Sequence, residues 1–215
     1  MPRLAHSPDA LAALRAPTAD DPWRVLLSGC MAGWGCGVDG TDYGMGDAVP
    51  WLARTPTVRL LPFCPEDAGL GTPRPMPDLH GGDGFGVLDG TARALAPDGA
   101  DLSAAMIRGA EAMRDFALLH RVDFAVLTDM SGACGTQVIS LGCRFDTPRR
   151  YQQGVGVAAA MLLRAGVAVV AQRDHRTLAL LRARAEPGFA PDPSARDHHD
   201  SDWCREHFGG TSSRD

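Results

Sequence analysis

Short apolar runs recur along the chain, and three of them end at a cysteine. Trp23 to Ser28 leads through Gly29 to Cys30, and Leu60-Leu61-Pro62-Phe63 stops at Cys64-Pro65-Glu66. Phe124-Ala125-Val126-Leu127 continues through Thr128-Asp129-Met130 into Ser131-Gly132-Ala133-Cys134-Gly135. Apolar runs of this length, broken by Gly or Pro, predict buried strands. Leu60–Phe63 reads as the central one, and Val167 to Ala171 predicts a fourth.

Helical patterns lie between these runs. Ser7-Pro8-Asp9 predicts a short helix to about Arg15, with a capping hydroxyl and Pro at its first position. Asp101 or Ser103 caps a helix to about His120, with Met106, Ile107, Ala110, Met113 and Ala117 as its apolar stripe. Further helices are expected from Gly154 to about Ala165 and from Thr177 to Arg184. Asp89-Gly90, between Gly86-Val87-Leu88 and Thr91-Ala92-Arg93, predicts a β-hairpin. Arg149 to Gln153 reads as a loop.

Alternating strands and helices predict an α/β protein, a Rossmann-like three-layer domain with a mostly parallel sheet. The expected organisation is an N-terminal helical appendage (1–22), the α/β domain (23–186) and a polar C-terminal tail (187–215). Ligands of open α/β sheets bind at the carboxyl ends of the strands. If the three strands are parallel, Cys30, Cys64 and Cys134 converge on one crevice there.

Composition narrows the chemistry. At 215 residues, 45% hydrophobic and 22% charged, the chain suits one ordinary globular domain. No apolar run reaches the ~20 residues of a membrane span, and the N-terminus lacks a secretory pattern. The expectation is a cytoplasmic protein with no membrane association, a monomer or a homodimer. Six cysteines in that compartment point to metal ligands or reactive thiols rather than disulfides. A net charge of −5 without an arginine stripe argues against a nucleic-acid partner. All 21 basic residues are arginine, which excludes a lysine Schiff base and a Walker-type phosphate loop.

Three cysteines from three strand ends suit an iron–sulfur cluster better than zinc, because structural zinc sites favour Cys-x-x-Cys knuckles that this chain lacks. A 4Fe-4S cube with three thiolate ligands leaves one iron open to substrate. Isolated buried thiols are the alternative. The Gly-rich loop from Cys30 to Gly40, including Gly33, brings backbone N–H groups to a ligand. Arg74, in the stiff loop Gly69 to Pro75, either holds a polar or anionic substrate group or pairs with a carboxylate. Gly154-Val155-Gly156-Val157-Ala158-Ala159 matches a dinucleotide fingerprint, but that motif needs a strand before it, and none is expected. Cys204-x-x-His207, with His198 and His199 upstream, matches no standard zinc finger; a solvated tail or a docked lid is the better reading.

The chain resembles the 2-thiouracil desulfidase family over roughly Arg24 to Ala171. The family pattern Ser-x-Cys-Leu-x-Gly-x-x-Cys-Arg-Tyr-Asp-Gly reads here from Ser28 through Cys30, Gly33 and Cys36 to Gly37-Val38-Asp39-Gly40. Cys-Pro-Glu, Gly-Leu and Pro-Arg stand at Cys64-Pro65-Glu66, Gly69-Leu70 and Pro73-Arg74. Ser-Pro-Ser-Cys-Gly stands as Ser131-Gly132-Ala133-Cys134-Gly135, and Gly-x-Gly-Val as Gly154 to Val157. The resemblance implies a 4Fe-4S cluster on Cys30, Cys64 and Cys134, an acid at Glu66 and a serine at Ser131. It also implies desulfuration of a small thiocarbonyl compound, with the substrate sulfur at the open iron, water attacking the carbon and sulfide leaving.

Glu66 lies two residues after a ligand, where a carboxylate can take proton-transfer work, and Ser131 could orient water or substrate. The plainer alternative has Glu66 capping a turn and Ser131 bonding backbone. Three departures bear on the pocket rather than the ligands. Thr128-Asp129-Met130 replaces a basic residue, Gly37-Val38 replaces Arg-Tyr, and Ala133 replaces a serine. Rival functions are a sulfur-inserting transferase on the same cluster, a non-enzymatic iron–sulfur protein and a nicotinamide enzyme.

Overall fold

The computed structural model describes residues 8–209, so the Ser7 cap lies outside the described residues. In chain order the elements are α1 (Pro8–Ala12), β1 (Trp23–Ser28), α2 (Pro50–Arg54), β2 (Val58–Phe63), α3 (Pro65–Leu70), β3 (Asp78–His80), α4 (Gly84–Leu88) and β4 (Arg93–Leu95). There follow α5 (Ser103–Leu119), β5 (Phe124–Leu127), β6 (Val138–Ser140), β7 (Tyr151–Gln153), α6 (Val157–Arg164), β8 (Val169–Ala171), α7 (His175–Ala185) and α8 (Asp202–Phe208).

Four strands form a parallel sheet in the order β2-β1-β5-β8. Side chains alternate faces along a strand, so each strand feeds two cores. Leu26, Ala125, Leu127 and Val169 pack with Met106, Ala110 and Met113 of α5 and Val157 of α6. Val25, Leu27, Phe124, Val126 and Val170 pack with Trp51 and Leu52 of α2, Leu178 and Leu181 of α7 and Leu11 of α1. Burial on both faces explains why Val25 to Leu27 of β1 and all of β5 read as unbroken apolar runs. The result is three layers, helices covering both faces of the sheet.

The chain steps outward from β1 to β2, then crosses back over β1 to β5 and β8. The direction of winding therefore reverses between β1 and β5, and the crevice outside their carboxyl ends is the switch point of the sheet. β2, read as the central strand, is an edge strand, and several of its residues are only half-buried. Its exit is fixed by α3, which crosses α5 at a glycine contact. A Cβ on Gly109 would lie 1.9 Å from the Pro65 carbonyl oxygen, and one on Gly69 would lie 2.2 Å from that of Ala105. Only the bare backbones allow α3, with Glu66 on its first turn, to sit this close.

Two local expectations fail. Gly86-Val87-Leu88 belongs to α4, not to a hairpin, because the Asp83 carboxylate caps the amides of Phe85 and Gly86 and starts a helix. β4 pairs with β3 instead. Tyr151–Gln153 is a strand, not a loop, held antiparallel to β6 outside the main sheet. The following helix is closed to a dinucleotide all the same. The amide of Val157 donates to the Gly132 carbonyl, and those of Ala158 and Ala159 to the Ala133 carbonyl, so α6 buttresses the third cysteine loop.

The described residues at both ends, from Pro8 and up to Gly209, pack onto the sheet and its helices. Arg184 donates to the carbonyls of Leu11 and Leu14. The segment from Asp197 folds back, with Asp197 capping Thr177 of α7 and His198 and Cys204 buried. No helix among the described residues is long and apolar enough to cross a membrane.

Candidate functional site

β1, β2 and β5 are neighbours and parallel, so all three cysteine-bearing exits open at the same edge. After β1 the chain tightens into a 3₁₀ turn, Gly29–Ala32, which carries Cys30 and closes on Gly33 at φ 79°. After β2, Cys64 is the N-cap of α3, and its Sγ accepts the Asp67 amide at 3.4 Å. Pro65 at the first helical position reinforces that start. After β5, the loop from Thr128 delivers Cys134. Cys30, Cys64 and Cys134 line one cavity of about 260 Å³, together with Cys36.

Glu66 and Ser131 meet in this cavity. Ser131 Oγ donates to Glu66 Oε1 at 3.1 Å while accepting the amides of Ala133 (3.2 Å) and Cys134 (3.1 Å). Glu66 Oε2 accepts Nε and NH2 of Arg74 at 3.1 and 2.8 Å. Arg74, 3% exposed, spends its remaining donors on the carbonyls of Gly71 and Cys36 and on Thr72 Oγ1. Two guanidinium N–H groups on one carboxylate oxygen, both out of water, fix geometry as well as charge. Arg144 in the cavity wall is likewise bound to Asp78 at 2.7 Å.

The thiols differ electrically. A hydrogen bond from Cys36, outweighing the cost of burial, holds the Cys64 thiol below its ordinary value, and the Asp67 amide adds to this. The same contact, with burial, raises Cys36. Burial raises Cys30, opposed by its 3.1 Å contact with Thr128 Oγ1. Burial raises Cys134 well above the usual range, opposed by Ser28. Among the described residues, no three His, Cys, Asp or Glu side chains gather closely enough to hold a single metal ion.

The structure thus brings Cys30, Cys64, Cys134, Glu66, Ser131 and Arg74 to one cavity. Arg74 faces Glu66 with every N–H already engaged, which leaves none for a substrate anion. Gly33 stands outside the cavity wall and ends the 3₁₀ turn. Ser131 combines both expectations, bonding backbone amides and facing the acid.

Two features escaped the sequence reading. Tyr43 joins the cavity wall. Asp129, buried in the cavity wall on the loop that leads to Cys134, accepts the amides of Thr136, Gln137 and Val138 on Oδ1 and contacts His198 Nδ1 at 2.5 Å on Oδ2. Burial pushes the Asp129 carboxyl up, but the His198 contact and the amides outweigh it and hold it below the ordinary carboxylate value. The available signals were an aspartate in place of the family's basic residue and a histidine pair some 70 positions on, too far apart in sequence to be joined without coordinates.

Fold and site together define an α/β protein with a thiol-lined, acid-bearing cavity at the switch point of a parallel sheet. The chain belongs to the 2-thiouracil desulfurase family, whose model matches residues 25–174. It is 28% identical over 151 residues to the uncharacterized protein YbbK of Bacillus subtilis (strain 168), covering 70% of this chain and 96% of YbbK. Among solved structures it resembles the 4Fe-4S-dependent thiouracil desulfidase TudS, with a TM-score of 0.59 and 30% identity, covering 75% of this chain and 98% of the other.

Proposed function

We propose that the protein is a 4Fe-4S-dependent, non-redox desulfidase that removes sulfur from a small thiocarbonyl compound of the 2-thiouracil type and releases sulfide. The observation that carries this reading is the convergence of Cys30, Cys64 and Cys134 with the Glu66–Ser131 pair on one cavity at the sheet's switch point. The activity named for TudS and the family membership support it.

The donor set fits the group. Three thiols surround a cavity rather than pinch around a point, as separate irons of a cube require, and they offer sulfur, the ligand such clusters take. When bound, a cluster held by three thiolates supplies an open iron that polarises a carbon–sulfur bond. The protein's own residues do the rest. Thr128 Oγ1 is placed to donate to Cys30 Sγ, and such contacts tune a ligand thiolate. Arg74 pins Glu66 with its free oxygen toward Ser131. Glu66 moves protons: from the attacking water, or to the ring nitrogen or departing sulfur. Ser131, its oxygen fixed by two amides, orients the water or the substrate against that carboxylate.

Anaerobically reconstituted protein mixed with 2-thiouracil should yield sulfide and uracil in equal amounts. Loaded protein that yields no sulfide would refute desulfuration. Consumption of sulfide with an activated acceptor would make it a sulfur-inserting transferase instead.

A further inference from the structure

Tyr43 is the cavity's unexplained wall. It sits in the Gly-rich loop after Cys36 at φ 55°, with its hydroxyl accepting the Val38 amide at 2.7 Å. A Cβ added to Gly37 would lie 2.7 Å from Cζ and 2.9 Å from Cε2 of the Tyr43 ring. The ring and the Thr41 carbonyl oxygen, which would lie 2.6 Å from that Cβ, together fill the space a side chain at position 37 would take, so only glycine lets the ring pack here. The ring is pinned at its hydroxyl and against Gly37, and it remains 52% exposed while lining the cavity.

The arginines of the wall offer no free charge. Arg74 is bound to Glu66 and Arg144 to Asp78. Every cation in the cavity wall is thus matched by a carboxylate. Phe63, Met76 and Met130 add apolar surface to the same cavity wall. Planar rings stack on aromatic faces, and an unmatched anion entering such a cavity loses water without gaining a partner.

We infer that Tyr43 is the specificity-determining residue of this cavity: it stacks on the substrate and selects an uncharged planar ring over an anionic one. This deepens the desulfidase reading and rests on it. Base-on-aromatic stacking predicts the scale, roughly 5- to 100-fold in affinity.

The test uses cluster-loaded protein, with the KM for 2-thiouracil read from sulfide release and calorimetric binding of two sulfur-free rings, uracil and a carboxylated pyrimidine. Wild type should bind both neutral rings and hold the carboxylated one at least about tenfold more weakly. Tyr43→Ala should weaken both neutral rings by about 5- to 100-fold at wild-type iron and sulfide content, and Tyr43→Phe should restore most of that loss. A merely structural role would instead lower cluster content and survive no better in Tyr43→Phe. Unchanged ring affinity in Tyr43→Ala, or equal affinity for the carboxylated ring, overturns the inference while leaving sulfide release by wild type intact. Loaded wild type that neither binds the rings nor releases sulfide sinks the desulfidase reading and this inference with it.

Discussion

At the scale of single residues, the site is a chain of hydrogen bonds that ends on a carboxylate. Arg74 holds Glu66, Glu66 faces Ser131, and Ser131 is anchored to the amides of the third cysteine loop. General acid/base groups typically contribute ~10²–10⁴-fold. Glu66→Gln keeps the shape and loses the proton chemistry, so turnover of 2-thiouracil should fall by about that factor at unchanged iron content. Ser131→Ala should lose less, since water can replace a hydroxyl. Loss of the cluster in Glu66→Gln would make the residue structural, and full turnover would move the proton elsewhere. The three thiols were legible as candidates because each lies on the segment that leaves an apolar run, and Glu66 because it follows Cys64-Pro65 in a pattern the family resemblance marks. The role of Arg74 was not, because a paired and a free arginine look alike until the Cys36 carbonyl and Thr72 are seen taking its other donors.

At the scale of elements, strands buried on both faces announced themselves, and β1 and β5 have the bounds their apolar runs predicted. Hairpin and loop assignments failed where a single side chain decided the outcome, as Asp83 did for α4. The C-terminal segment shows the same limit. It lies beyond the family match, yet His198 reaches the buried Asp129 on the loop that leads to Cys134. Asp129→Asn should destabilise the apo-protein by about 1–3 kcal/mol at pH 7, the usual range for disturbing a buried charged hydrogen bond. The sign of its pH dependence follows from linkage. The folded carboxyl titrates below its unfolded value, so its contribution is complete above about pH 4 and disappears as pH falls through the folded value. Urea unfolding at pH 7 and near pH 3 should therefore show the gap between wild type and Asp129→Asn closing in acid. A gap that widens in acid would contradict the assigned charge.

At the scale of the whole molecule, the order β2-β1-β5-β8 is what turns three sequence-distant cysteines into one site. Their spacings of 34 and 70 positions carry no signal, whereas three adjacent parallel exits at a switch point leave little choice. Cys36 is the fourth thiol of the cavity, hydrogen-bonded to Cys64; Cys143 and Cys204 lie outside the cavity wall. The central claim is therefore a count. Anaerobic reconstitution of wild type, and of a serine variant at each of the six cysteines, followed by iron and acid-labile sulfide analysis, measures it. The account predicts about four irons and four sulfides per chain in wild type and in Cys36→Ser, Cys143→Ser and Cys204→Ser, with binding lost or unstable in Cys30→Ser, Cys64→Ser and Cys134→Ser. A wild-type protein that stays colourless and iron-free, or variants at Cys30, Cys64 or Cys134 that load as wild type does, would contradict it.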